Sequence, residues 1–489
     1  MTAEAVLASP EAIAKYQPVI GLEVHVQLAT ETKIFCGCPT SFGAPPNSNV
    51  CPVCLGMPGA LPVLSKRAVE LAMRAALSLH CRVNPVSIFA RKNYFYPDSP
   101  KGYQISQFDQ PLAEHGYLDI QVSGVTKRIG ITRVHMEDDA GKSVHEGFRD
   151  SDKYSYVDLN RCGMPLIEIV SEPDMRSADE AHAYLSELKQ VIQFVESSTC
   201  DMEKGHLRCD ANVSVMLRGA EKFGTRAEVK NLNSFRFLKQ AVDYEIARQV
   251  AIVESGGRIH QETRLFNSAE GITVSMRSKE DAHDYRYFPE PDLVPLRISD
   301  VWQSDVRSHL PELPQQKRER FIGEYGLRES DADVLTSSRN LSDYFERTAK
   351  TSSDPKTAAN WVMGDLLGAL KGADIETSPV SAEALGELVG LIKKGDISGK
   401  LAKEIFPKMF ESGHNAAFIM ERDGLKQISD TGALEKIVDE VLAQNPKQVE
   451  QYRAGKTTVA GFLVGQVMKA SRGQANPNAV GDLIKARLT

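Results

Sequence analysis

The sequence has no run approaching the ~20 consecutive apolar residues that a bilayer crossing requires, so nothing in it predicts a transmembrane helix. Residues 1–18 have neither the basic start nor the apolar core of a secretory signal. They read as a short flexible leader, and the expected location is cytoplasmic. Positive charge is not in excess either: 58 Lys and Arg stand against 65 Asp and Glu, a net charge of -7. That excludes a global attraction to nucleic acid or membrane and confines any such contact to a local patch. Internal repeats and low-complexity segments are absent. So is a phosphate-binding loop. Ala140-Gly-Lys-Ser143 ends like one, but Met136 stands where the first glycine is required.

What is present is an ordinary globular composition, 42% hydrophobic and 25% charged over 489 residues. That length suggests about three domains. The first half alternates apolar and polar residues at 19–28, 129–136, 207–215 and 225–230, the period of half-buried strands. Helices are expected at 65–80, 177–196 and 234–253. The second of these opens on Ser177 and Glu180, a capping-box spacing. Pro289, Pro291 and Pro295 then interrupt both helix and central strand, placing a boundary near residue 292. Beyond it the pattern is helical, at 341–348, 357–370, 381–394 and 402–410, with Pro407 expected to kink or end the last. A softer boundary falls near Gly413. The predicted class is α+β: a β-rich antiparallel cradle over 19–292, a helical domain over 293–413 and a small helical tail over 414–489.

Eight cysteines in a chain expected in a reducing compartment point to metal before disulfides. Four are paired in sequence: Cys36-x-Cys38, then twelve residues, then Cys51-x-x-Cys54. Gly37, Pro39, Pro52 and Gly56 favour the tight turns that bring sulfurs together. Four soft ligands suit a tetrahedral zinc, and with every position filled by protein the site over 36–54 is structural. Cys81, Cys162, Cys200 and Cys209 are isolated and read as small core residues.

The strands carry a second pattern. Ile20, Leu22, Val24 and Val26 share one face of the first, leaving Glu23 and His25 on the other. Likewise Arg208, Asp210 and Asn212 alternate with apolar residues, and Glu228 and Lys230 flank Val229. Residues 133–139 end a strand in Glu137, Asp138 and Asp139. If these strands form one sheet, their polar faces make a groove whose carboxylates need a cation among them, and Mg²⁺ is the usual one. Taken singly, each strand reads first as a solvated face, since alternating polar residues normally meet water.

Two segments mix cations with aromatics, Arg91-Lys-Asn-Tyr-Phe-Tyr-Pro-Asp98 and Asp284-Tyr-Arg-Tyr-Phe-Pro-Glu290. Such mixtures suit base stacking and phosphate contact, and equally suit ordinary strand ends. The last 43 residues hold seven Lys and Arg against two Asp and Glu, a local +5. Lys456, Lys469, Arg472, Lys485 and Arg487 there suit contacts with an RNA backbone or a solvated helical face. One helix is expected to end before Gly473, and another to begin with Asn476 as cap and Pro477 in the first turn.

Together these segments resemble one family closely, the B subunit of aspartyl/glutamyl-tRNA amidotransferase. The resemblance rests on Val19-Ile-Gly-Leu-Glu-Val-His-Val26, Arg91–Asp98, Tyr103-Gln-Ile-Ser-Gln-Phe-Asp109, His135-Met-Glu-Asp-Asp-Ala-Gly-Lys-Ser143, Pro165-Leu-Ile-Glu-Ile-Val170, Leu207-Arg-Cys-Asp-Ala-Asn212, Glu228-Val-Lys-Asn-Leu-Asn233, Asp284–Pro291 and Gly461-Phe-Leu-Val-Gly-Gln-Val-Met-Lys469. It implies a carbon–nitrogen ligase with glutamine as amide donor. Glutamate misloaded on tRNA(Gln), or aspartate on tRNA(Asn), would be phosphorylated by ATP with Mg²⁺ and then amidated by ammonia. It implies partners as well: an amidase-type glutaminase A subunit and a small C subunit forming a heterotrimer, with the tail gripping tRNA. The family's metal positions fall on Glu23, His25, Asp138, Asp210 and Glu228. Relatives often carry Glu at the position of Asp138, which leaves Asp138, Glu137 or both as ligands. Lys92 matches a lysine near the phosphorylation site. The alternative is a tRNA-binding scaffold whose chemistry is housed in a partner.

Overall fold

The protein is described from a computed structural model covering residues 7–145, 147, 149–278, 285–425, 431–471, 475 and 477–488. Asp284, Arg472 and the expected cap Asn476 lie outside the described residues. The fold is α+β. The chain divides into two compact units, Met1–Leu313 and Pro314–Thr489.

The first unit is built on a nine-stranded sheet. From edge to edge its strands are Ile272–Ser278, Glu262–Asn267, Ala227–Lys230, Leu207–Leu217, Tyr16–Gln27, Pro165–Ser171, Val125–Asp138, Ala113–Val122 and Arg82–Val83. Neighbours run antiparallel except Ala227–Lys230 and Glu262–Asn267, which are parallel. The first strand in sequence lies at the centre, between Pro165–Ser171 and Leu207–Leu217.

The period-two pattern explains the layering. Ile20, Leu22, Val24 and Val26 are all fully buried, and so are Ala211 and Val213 beside them. Against this apolar face pack Lys66–Ser78, Ala178–Phe194 and Phe235–Glu254, whose buried stripes include Leu71, Leu185, Leu188, Leu238 and Val242. Each helix starts on a serine whose hydroxyl accepts a first-turn N–H: Ser65 from Ala68, Ser177 from Glu180 and Ser234 from Phe237. Such caps contribute about 1 kcal/mol each. On the opposite, polar face no helix is needed, and the alternation leaves a groove.

The described part of the leader makes specific contacts with the first unit. Pro10–Ile13 is a short helix capped by Ser9, Ala8 N–H reaches Ala247 O at 3.2 Å, and Glu254 holds both Lys15 and the Tyr16 hydroxyl. The central strand starts at Tyr16, so these residues seal its end. At the other boundary, Asp300–Ser308 forms a helix whose Val306, with Ile298, belongs to the core of the first unit. That unit therefore runs past the proline-rich segment to Leu313.

The second unit is helical, with two separate cores. One gathers residues from Phe321 to Ile419, including Phe345, Val362, Leu388 and Ile405. The other gathers residues from Leu434 to Leu488, including Leu463, Val467 and Ile484. Gly399–Ser412 continues as helix through Pro407 and ends on Gly413 in the left-handed region at φ 71°. Burial of Phe406 and Met409 on either side of the proline holds that turn in place.

Candidate functional site

Residues directly opposite in adjacent antiparallel strands project to the same face. The register sets Glu23 opposite Asp210, His25 opposite Glu168 and Arg208, Glu168 opposite His135, and Asn212 opposite Glu228. The polar face thus carries a band of ionisable groups across five strands. It divides into two clusters.

In the first cluster His25 Nε2 lies 3.4 Å from Glu137 Oε1 and 3.6 Å from Glu168 Oε2. The three ligand atoms lie within 4.8 Å of one another, a spacing that a single ion spans. His135 Nε2 backs Glu168 at 3.1 Å. Burial opposes the charge of Glu168, yet His135, His25 and Lys92 outweigh it and hold the carboxyl well below its usual range. Lys92 overlooks the same cluster from the Ala90–Asn93 strand. Burial opposes its charge too, but Glu137, two tyrosines and Glu168 hold it above the ordinary lysine value. An imidazole and two carboxylates, with an ammonium near, suit a divalent cation bridged to phosphate.

The second cluster gathers Glu23, Asp210 and Glu228, and it already has a cation. Lys230 Nζ sits 2.6 Å from Asp210 Oδ2 and 2.9 Å from Glu228 Oε1. Asn212 donates to Glu23 at 2.8 Å, and Thr263 donates to Glu228 at 2.9 Å. Burial raises the Glu23 carboxyl, and Glu168, Glu228 and Asp210 add to that rise. Lys230 was visible in the sequence on the right face, but its reach between two strands was not.

Asp138 joins neither cluster. Alternation along the strand sends Glu137 into the groove and Asp138 to the other side, where it is fully buried. Its carboxylate pairs with Lys101 and accepts Ile105 N–H at 2.8 Å. Its backbone oxygen accepts from Gln104 Nε2 at 2.8 Å. Burial pushes its carboxyl up, against the pull of Lys101. Asp139 turns to Arg208 at 2.8 Å and Arg161 at 3.4 Å. Glu168 and His135 were not singled out in the sequence. Glu168 was detectable as one carboxylate in an otherwise apolar strand, Pro165–Ser171.

The four cysteines meet. Cys36 Sγ and Cys51 Sγ are each 3.7 Å from Cys54 Sγ, and Cys38 Sγ is 4.0 Å from it. Tetrahedral bonds of about 2.3 Å place sulfurs about 3.8 Å apart, so the donor set fits a metal of zinc's size and softness. Lys33, fully buried, points Nζ to Cys54 Sγ at 3.4 Å and donates to Asn49 O at 2.7 Å. The hydrogen bond from Cys36 pushes the Cys54 thiol down to about 4, and Lys33 assists. Cys81, Cys162, Cys200 and Cys209 are buried singly.

In the tail, Lys456, Lys469 and Lys485 are exposed. Arg487 is drawn back onto Asp439 at 2.8 Å and Glu435 at 3.0 Å. No helix among the described residues is long and apolar enough to cross a membrane.

Comparison with known proteins covers nearly the whole chain. Residues 18–304 match the family described as the GatB/GatE catalytic domain, and residues 343–488 match the GatB domain. The B subunit of the aspartyl/glutamyl-tRNA(Asn/Gln) amidotransferase of Geotalea daltonii is 59% identical over 476 residues, 97% of this chain and 99% of the relative. Its counterpart in Trichlorobacter lovleyi is 59% identical over 476 residues with the same coverage. Its counterpart in Persephonella marina is 55% identical over 477 residues, 97% of this chain and 100% of the relative. With both domains matched and such identity from end to end, the chain belongs to the B-subunit family of the aspartyl/glutamyl-tRNA(Asn/Gln) amidotransferases.

Proposed function

We propose that this chain carries out the ATP-dependent amidation of Glu-tRNA(Gln), Asp-tRNA(Asn) or both, as the kinase and transamidase subunit of a heterotrimer. The observation that carries the reading is the convergence of His25, Glu137 and Glu168 within 4.8 Å, overlooked by Lys92. A carboxylate resists attack by ammonia because its oxygen leaves poorly. Transfer of the γ-phosphoryl group of ATP to that oxygen forms an acyl phosphate and releases ADP. The ammonia lone pair then attacks the acyl carbon, the bond to the phosphate oxygen breaks, and phosphate leaves as the amide forms.

His25, Glu137 and Glu168 are the residues that would hold Mg²⁺, which offsets charge on the transferred phosphoryl group. Lys92 orients the phosphates from above. Asp210 and Glu228 hold Lys230 and with Glu23 line the path of the aminoacyl end, where Glu23, raised by burial, is placed to take the proton the attacking ammonia gives up. On this reading Asp138 is removed from the metal set and Glu137 takes its place. Ammonia comes from the glutaminase A subunit, and the C subunit joins the two. Zn²⁺ at Cys36, Cys38, Cys51 and Cys54 is structural. The tail, with Lys456, Lys469, Arg472 and Lys485, holds the tRNA. Arg487, already paired, contributes less.

The test is transamidation of both misacylated tRNAs by the assembled complex, with and without ATP, for His25→Ala and Glu168→Ala. Loss of Mg²⁺-dependent ATP hydrolysis with retained tRNA binding is expected. Unchanged ATP turnover in both variants would leave only a non-catalytic tRNA scaffold.

A further inference from the structure

Above Lys92 lies an aromatic stack that the proposed mechanism does not use. The Phe108 and Tyr287 rings are 4.3 Å apart between centroids and tilted by only 8°. They come from far-apart segments joined by a small three-stranded sheet. Phe108 follows its strand Tyr103–Ser106, Tyr287 precedes its strand Phe288–Pro289, and the middle strand, Ala90–Asn93, carries Lys92. Lys92 Nζ lies 4.9 Å from the Tyr285 ring centroid, and Tyr285 meets Tyr287 edge-on at 6.0 Å.

Phe108 is 56% exposed although one of its faces is covered by Tyr287. Tyr287 is half-buried, and its phenol is pushed up by burial, eased by Lys92 and raised again by Glu137. The sequence of features is therefore a bare ring face, an ammonium, and the His25, Glu137 and Glu168 cluster. A nucleotide presents the same succession of base, phosphate and bound cation. A base adds to a stack through its π-face, and an aromatic beside a cation is the usual platform for it.

We propose that the Phe108–Tyr287 stack seats an adenine ring on the open face of Phe108, with the attached phosphate directed to Lys92. This rests on the catalytic reading of the groove. Two substrates in that reading end in adenosine, ATP and the 3′ terminus of the charged tRNA, and the same ring face fits either.

The experiment measures KM for ATP and KM for misacylated tRNA in steady-state transamidation by the assembled complex carrying Phe108→Leu or Phe108→Trp. Phe108→Leu raises one of the two KM values about tenfold with kcat held, as loss of a stacking partner does. A rise in the ATP value assigns the seat to the nucleotide, and a rise in the tRNA value assigns it to the terminal adenosine. Phe108→Trp keeps the affinity. Both KM values unchanged in Phe108→Leu overturn the proposal, as does equal impairment by tryptophan. Glu137→Gln in the same assay separates the two ideas. If it loses ATP hydrolysis while Phe108→Leu is silent, only the stack falls. If it hydrolyses ATP normally, the catalytic reading falls as well.

Discussion

Glu137 and Asp138 are adjacent in sequence and serve opposite sides of one sheet. Glu137 Oε1 stands 3.4 Å from His25 Nε2 in the groove, whereas the Asp138 carboxylate accepts Ile105 N–H at 2.8 Å on the far side. The two should separate cleanly by substitution. Glu137→Gln is expected to lower Mg²⁺-dependent ATP hydrolysis on the order of 100-fold with the fold intact. Asp138→Ala instead leaves Lys101 buried without its partner, at a cost of about 3–5 kcal/mol in stability. Denaturant melts read beside ATP turnover check both. A stable, inactive Asp138→Ala protein would return that carboxylate to the metal.

Lys230 should determine how the second cluster responds to cations. Its ammonium lies within 2.9 Å of both Asp210 and Glu228. Lys230→Met leaves those carboxylates facing Glu23 without compensation, so the variant is expected to be less stable. Its melting temperature should then rise with added Mg²⁺ more than that of the parent, since a ligand bound only to the folded state stabilises it by mass action. Equal Mg²⁺ responses would count against the cluster as a cation site.

The cysteine site predicts about one zinc per chain by elemental analysis. Cys51→Ser should lower both metal content and melting temperature while removing no group from the groove. A metal-free protein as stable as the loaded one would reject the structural role.

At the sheet edge a buried network should govern acid stability. Glu245, with no exposure, takes Arg248 at 2.6 Å and Arg264 at 3.4 Å, and Arg264 also holds Glu262 at 2.6 Å. Glu245→Ala leaves Arg248 and Arg264 sharing Glu262 as their carboxylate and should cost about 3 kcal/mol. Burial raises the Glu262 carboxyl, but Ser275, Arg264 and Arg248 prevail and hold it below its usual range. A carboxylate with a depressed folded-state pKa gives stability that is present above its unfolded value and is lost as pH falls through the folded one. Glu262→Gln should therefore flatten the loss of stability below about pH 4. Parallel curves for variant and parent would refute this.

Removal of residues 431–489, which leaves the core that ends at Ile419 whole, should weaken tRNA binding while sparing glutaminase activity of the complex. Within the tail, Lys469→Gln should reduce the salt dependence of tRNA binding by nearly one unit of slope. Arg487→Gln should do so less, since Arg487 is held by Asp439 and Glu435. The reverse ranking would place the RNA on the other side of the tail.

The sequence made the local chemistry legible and left its assembly hidden. Period two placed Glu23 and His25 on one face, and serine caps marked the helix starts, because both follow from backbone geometry over a few residues. The cysteine spacing was as direct. Which strand lies beside which depends on pairings made across the whole sheet. Hence Glu168, embedded in Pro165–Ser171, was passed over although it faces His25. The division between Glu137 and Asp138 was legible from alternation, since Glu137 shares its phase with His135. Family likeness left Asp138, Glu137 or both as ligands, and alternation puts Glu137 on the face of His25. Lys230 was on the expected face, but only adjacency of the Leu207–Leu217 and Ala227–Lys230 strands reveals its two partners.

The central place of the first strand has a consequence for how the protein is made. Tyr16–Gln27 leaves the ribosome well before its two neighbours, Pro165–Ser171 and Leu207–Leu217, which are encoded far downstream. At about 5–20 residues per second the second of these follows roughly 10 to 40 s later. For that interval the nascent chain carries an apolar strand with both edges open, the state that invites pairing with another polypeptide. Synthesis of this subunit thus includes a waiting period in which the final partners of its central strand do not yet exist.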